Sequence, residues 1–194
     1  MTRLLMLVLA LSLVASPASA HIFSGEATGF LSGLRHPVSG FDHILAMVAV
    51  GLWGAQLGMP AIWVLPIAFP MVMALGGLLG LLGAPLPGVE IGIALSALVL
   101  GAMVLFEVRA PLWVAGTLVA VFAVFHGHAH GAELPPGADG LVYSLGFVIA
   151  TGLLHGFGVA IGLVHRWPMG RVALRGAGAC FAAAGPVFLW SALA

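Results

Sequence analysis

His36-Pro37-Val38-Ser39-Gly40-Phe41-Asp42-His43 leads directly into Ile44–Leu57, a run whose one strongly polar side chain is Gln56. Two imidazoles and a carboxylate thus stand together at the start of a segment apolar enough to enter a bilayer. Nitrogen and oxygen donors of this kind suit a first-row divalent metal such as nickel, cobalt or zinc. Pro37 favours a bend or a first helical turn, which puts the donors where a helix meets the membrane surface. A carboxylate is expensive there unless it faces the bundle interior, a water path or a cation. The stretch predicts a metal site at the mouth of a membrane protein.

Composition agrees. The chain is 62% hydrophobic and 6% charged over 194 residues, with a mean hydropathy of +1.20. Too little polar side chain remains to cover a soluble domain of that size. Lysine is absent, and six arginines balance six acidic residues. A basic face for nucleic acid is therefore missing, as is the lysine of a phosphate-binding loop, so no nucleic-acid partner is expected. The single cysteine, Cys180, excludes an intramolecular disulfide and any cysteine-based zinc module, and reads as a small packing residue in a helix.

Arg3 and the apolar run Leu4–Val14, followed by Ala18-x-Ala20, have the form of a cleaved signal peptide over 1–20. Cleavage there leaves His21 as the new terminus, whose amine and imidazole together can chelate a metal. Residues 21–35 read as a short exposed arm. Six apolar segments follow, each near the ~20 residues that cross a bilayer. They lie at about 40–58, 61–83, 88–106, 111–130, 140–164 and 172–193, joined by short turns rich in proline and glycine. The expected fold is an all-α integral membrane protein: six transmembrane helices in one domain, 21–194, after a cleaved signal peptide.

Arginine sets the orientation. With the mature start outside, Arg109, Arg166, Arg171 and Arg175 fall on inner turns and Arg35 alone falls outside. Both mature termini are then expected in the periplasm, with the chain in the bacterial inner membrane. Gly76-x3-Gly80, Gly88-x3-Gly92, Gly152-x3-Gly156 and Gly158-x3-Gly162 read as close-packing faces. Pro66 and Pro70 are expected to kink the second segment. Gln56 and Thr151 read as hydrogen-bonders between helices.

This topology gathers donors at the outer ends: His21, His36, Asp42, His43, Glu90, His126, His128, His130, Glu133 and Asp139. The inner surface holds only Glu107 and His165. In the second cluster, His126 and His130 are four apart on one helical face, Glu133 lies a turn beyond, and His128 points the other way. His155 lies deep in the fifth segment, where an ionisable side chain marks a pathway by default. Together with His21, His128 and Glu90 it is a candidate for the ion path; Glu90 can equally serve as a helix N-terminal carboxylate.

The motifs His36-Pro37-x3-Gly40-x-Asp42-His43 and Phe125-His126-Gly127-x-Ala129-His130-Gly131-x-Glu133 resemble those of the HupE/UreJ family, and the layout is similar along the whole chain. The resemblance implies an inner-membrane permease for nickel, or in some members cobalt, that supplies metalloenzymes. It implies His36, Asp42, His43, His126, His130 and Glu133 as the metal residues of transport. The metal is then cargo, no cofactor is held permanently, and the partners are a divalent ion and the lipid bilayer. No enzyme activity is expected. Two other readings stand beside it: a histidine-box membrane metalloenzyme, which needs more histidine ligands than these clusters offer, and a b-type haem protein, for which His155 has no evident partner. The oligomeric state is not set by these residues.

Overall fold

The computed structural model describes residues 29–134 and 139–194, so the expected signal peptide over 1–20 and His21 lie outside the described residues. The described residues form seven α-helices, in order α1 (Phe30–Arg35), α2 (Phe41–Leu57), α3 (Ala61–Leu81), α4 (Val89–Leu105), α5 (Leu112–Ala132), α6 (Gly140–Gly162) and α7 (Pro168–Leu193). Short 3₁₀ turns at His36–Val38 and Leu163–Arg166 follow α1 and α6. The described residues contain no strand.

Local chemistry marks the ends. Gly58 at φ 79° stops α2, and Gly88 at φ 70° turns the chain into α4; both conformations favour a residue without Cβ. Asp139 caps α6, its Oδ1 accepting from the Leu141 and Val142 amides at 3.1 Å each. Pro168 occupies the first turn of α7, which begins there rather than at 172. Pro66 and Pro70 both lie inside the continuous helix α3.

The six long helices fall on the six expected segments, but not all are full spans. α3, α5, α6 with its 3₁₀ turn, and α7 are long and apolar enough to cross a membrane. α1 and α2 form a pair bent by 80° that would make a fifth crossing. α2 and α4 have 17 residues each, about 26 Å of helix against a ~30 Å hydrocarbon core. The reason is local: extended Gly40 breaks the helix between His36 and Asp42, and Gly88 opens α4 late. The exterior is apolar, with Trp113, Leu141 and Trp190 at least three-quarters exposed.

Close approaches through glycine fix the directions. Gly76 abuts Val124 and Gly80 abuts His128, so α3 and α5 run parallel. Gly51 meets His155 while Gly162 meets Ala55, so α2 and α6 are parallel too. Gly101 meets Ala182 while Gly185 meets Leu98, which makes α4 and α7 antiparallel. The long helices therefore alternate up and down. α2 lies at the centre, with 12 of its 17 residues buried.

Several expectations change. The described part of the arm is not free: α1 packs on α6, with Gly33 against the Tyr143 carbonyl and Gly146 against the Phe30 carbonyl. Gly152 and Gly156 face open space and are no packing surface. Cys180 is exposed on α7 rather than packed. Gln56 does bond between helices, donating to the Val104 carbonyl at 3.1 Å. Thr151 does not; its buried hydroxyl has no partner among the described residues. Trp53 Nε1 donates to the Val108 carbonyl at 2.9 Å, and Arg171 lies 3.6 Å from Glu107. Those contacts tie together the arginine-bearing end, opposite the end where the histidines collect.

Candidate metal centre

Three pieces of chain meet at the other end of the bundle. The 3₁₀ turn supplies His36, the first turn of α2 supplies Asp42 and His43, and the last two turns of α5 supply His126 and His130. Glu133 follows as the C-cap of α5. The His36 and His130 rings are 4.5 Å apart between centroids, His43 and His130 4.4 Å, and His43 and His126 4.7 Å. The two clusters that are 83 positions apart in the chain are therefore one site, since His43 and His126 touch. His36, His130 and Glu133 each offer a ligand atom, all within 4.8 Å of one another.

The hydrogen bonds state which ring atoms are available. Asp42 Oδ1 accepts from the His43 amide at 2.9 Å and lies 2.8 Å from His43 Nδ1. A carboxylate oxygen can only accept, so Nδ1 carries the proton and Nε2 keeps the lone pair. Nε2 is buried with no partner among the described residues. This carboxylate–imidazole arrangement fixes the tautomer and the orientation of the ring. Gly40 makes the pair possible: a Cβ there would stand 2.7 Å from Asp42 Oδ1 and 3.1 Å from His43 Nδ1.

His126 is fixed by a different device. Ser96 Oγ sits 2.6 Å from the Ile93 carbonyl and 2.9 Å from His126 Nε2. The hydroxyl has one proton, and the short contact with the carbonyl oxygen requires it. Nε2 of His126 must then donate to Ser96, which leaves a lone pair on Nδ1. Among the described residues that atom, too, is buried without a partner, as are both ring nitrogens of His130. Tyr143 and Phe147 wall the outer side, with Phe147 4.4 Å from His130 and the two rings 5.9 and 6.0 Å from His36. Burial pushes the Glu133 carboxyl above its ordinary range, opposed by His43 and reinforced by Glu90 and Asp42.

Other expected donors stand apart. His128 turns away and its Nε2 donates to the Ala84 carbonyl at 2.7 Å. Glu90 is exposed at the start of α4 and meets the site only through its charge on Glu133. Asp139 is spent on its helix cap. His165 Nδ1 donates to the Gly162 carbonyl at 2.9 Å, far from the cluster. His155 lies lower on α6, with Phe69 between it and His126.

The HupE / UreJ family model matches residues 9–188. The chain belongs to the HupE/UreJ family. Protein HupE of Rhizobium leguminosarum bv. viciae is 47% identical over 180 residues, covering 92% of this chain and 94% of that relative. No solved structure matches. The family motifs mark the histidines and carboxylates but not Ser96, Phe69, Tyr143 or Phe147, which complete the walls in this member. A serine in an apolar helix or a phenylalanine between two prolines is ordinary in a membrane segment. Only the ring contacts distinguish them.

Proposed function

We propose that this chain carries nickel or cobalt ions across the bacterial inner membrane as a transporter or facilitator. In this reading all six long helices cross the membrane and both mature termini are periplasmic. One observation carries it: imidazoles from three pieces of chain converge at one end of an apolar bundle, and buried ring nitrogens of His43, His126 and His130 have no partner among the described residues. Family membership supports the same reading. The opposite end carries Arg109, Arg166, Arg171 and Arg175, which fits a cytoplasmic surface.

Capture begins at His36, His130 and Glu133, which replace part of the ion's hydration shell. His43 and His126 receive the ion next, because His43 touches both His130 and His126. Neutral imidazoles with their tautomers already set need no rearrangement before binding, and Asp42 balances part of the incoming charge. Every neighbouring ring is within exchange distance, so no single set of donors has to hold the ion tightly. Labelled Ni²⁺ and Co²⁺ uptake by cells expressing this chain alone tests the reading; neither ion accumulating above the vector control would end it. For topology, a C-terminal alkaline phosphatase fusion should be active and a C-terminal GFP fusion dark.

Ser96 gives a separate expectation. Ser96→Ala removes the acceptor that fixes His126 and should weaken nickel binding to purified protein by about tenfold. Ser96→Thr restores a hydroxyl and should recover most of that loss. Titration calorimetry on both variants measures it; equal weakening in the two would mean that packing, not the hydroxyl, matters.

A further inference from the structure

Below the outer cluster, two buried polar side chains stand close together in the apolar run of α6. His155 is 1% exposed and Thr151 0%, in the middle of α6. They are four residues apart and so share a helical face. Among the described residues, neither ring nitrogen of His155 has a hydrogen-bond partner, nor has the Thr151 hydroxyl. An interhelical hydrogen bond, the ordinary reason for a histidine at this depth, is therefore not what holds this one. The His155 backbone lies directly on Gly51 at the middle of α2, which sets the ring well below His43. Between the levels stands Phe69, fully buried, its ring 5.6 Å from His126 and 5.2 Å from His155 between centroids.

We propose that His155 and Thr151 form an inner station for the divalent cation, separated from the outer histidines by the Phe69 ring. The proposal rests on the transport reading and adds a second stop to it. Whichever His155 nitrogen carries the proton, the other offers a lone pair, and the Thr151 oxygen offers a neutral donor one turn away on the same face. One imidazole and one hydroxyl make a weak set for a first-row dication. Weak binding is what an intermediate stop requires, since the ion must leave it toward the arginine end. Phe69 touches the lowest outer imidazole on one side and His155 on the other. A small movement of that ring would join the two levels without opening the bundle to water. The ligand class is the same as outside: a borderline divalent ion that accepts imidazole nitrogen.

The test separates capture from passage. His155→Phe fills the volume without a donor, His155→Ala removes both, and Thr151→Val keeps shape while deleting the hydroxyl. Each is expressed as the full chain, quantified in membranes, and measured twice: ⁶³Ni²⁺ uptake by cells, and Ni²⁺ binding to the purified protein by equilibrium dialysis. Wild type in the same assay reports on transport itself, so failure of that reading shows there and not in the variants. Expected are at least a tenfold fall in uptake for both His155 variants and a smaller fall for Thr151→Val. Tight binding at the outer cluster should persist in all three, while the weaker second equivalent disappears with His155. Uptake at the wild-type rate in His155→Phe overturns the inner station. Loss of outer binding along with uptake in both His155 variants overturns it as well, because His155 would then be a packing residue.

Discussion

Asp42→Asn will reduce nickel uptake to background at normal protein levels. The carboxylate does two things at once. It accepts from His43 Nδ1 at 2.8 Å and from the His43 amide at 2.9 Å, which holds the free Nε2 toward His126 and His130. It also supplies negative charge beside a ring cluster that is otherwise neutral when ready to bind. Asparagine keeps the shape and can keep the amide contact, but it loses the charge and the pull on the His43 ring. Loss of such a partner weakens metal affinity by roughly 10–100-fold, and the missing charge adds to that. Uptake of ⁶³Ni²⁺ with membrane levels matched by blotting is the measurement. A wild-type rate in Asp42→Asn would remove the carboxylate from the mechanism.

The second large effect is on folding. Gly127→Leu should prevent the protein from accumulating, because a Cβ at Gly127 runs into the Met73 carbonyl and lies 2.8 Å from the Gly77 amide nitrogen. Those are backbone atoms and cannot swing aside as a side chain would. α3 and α5 would have to separate along their whole contact, at a cost on the order of 3 kcal/mol or more. Gly152→Leu is the matched control: nothing lies within 4 Å of that position, so the variant should accumulate normally. Membrane yield and a single gel-filtration peak in detergent measure both. Equal yields from the two variants would contradict the packing described for α3 and α5.

That contrast shows how much the sequence could and could not tell. Spacing alone picks out Gly76-x3-Gly80 and Gly152-x3-Gly156 equally, yet only the first pair touches a neighbouring helix. A near-uniform apolar composition hides which face of a helix looks at lipid and which at protein. Helix positions were legible because proline and glycine punctuate them. The bounds of α2 were legible to within a residue, but Gly40 reads as an ordinary motif residue, and its extended conformation is visible only in three dimensions. The donors were legible as residues because carboxylates and imidazoles are rare in such a chain. Their pairing was not, since His43 and His126 meet only once α2 and α5 are packed. The tautomers of His43 and His126 depend on Asp42 and Ser96 respectively. The first is a chain neighbour; the second sits 30 positions from its ring, in an apolar run.

The parallel contact of α3 and α5 has one more result. Gly127 and Gly131 bracket His130 on α5, and both rest on the backbone of α3 at Met73–Gly77. His126 and His130 are thus mounted on a double beam whose two members meet main chain to main chain. His36 and His43 are mounted otherwise, on either side of the 80° bend between α1 and α2. Two rings share one stiff mounting and two are joined only through a bend. Under the transport proposal, a difference in ion radius is then taken up on the His36–His43 side.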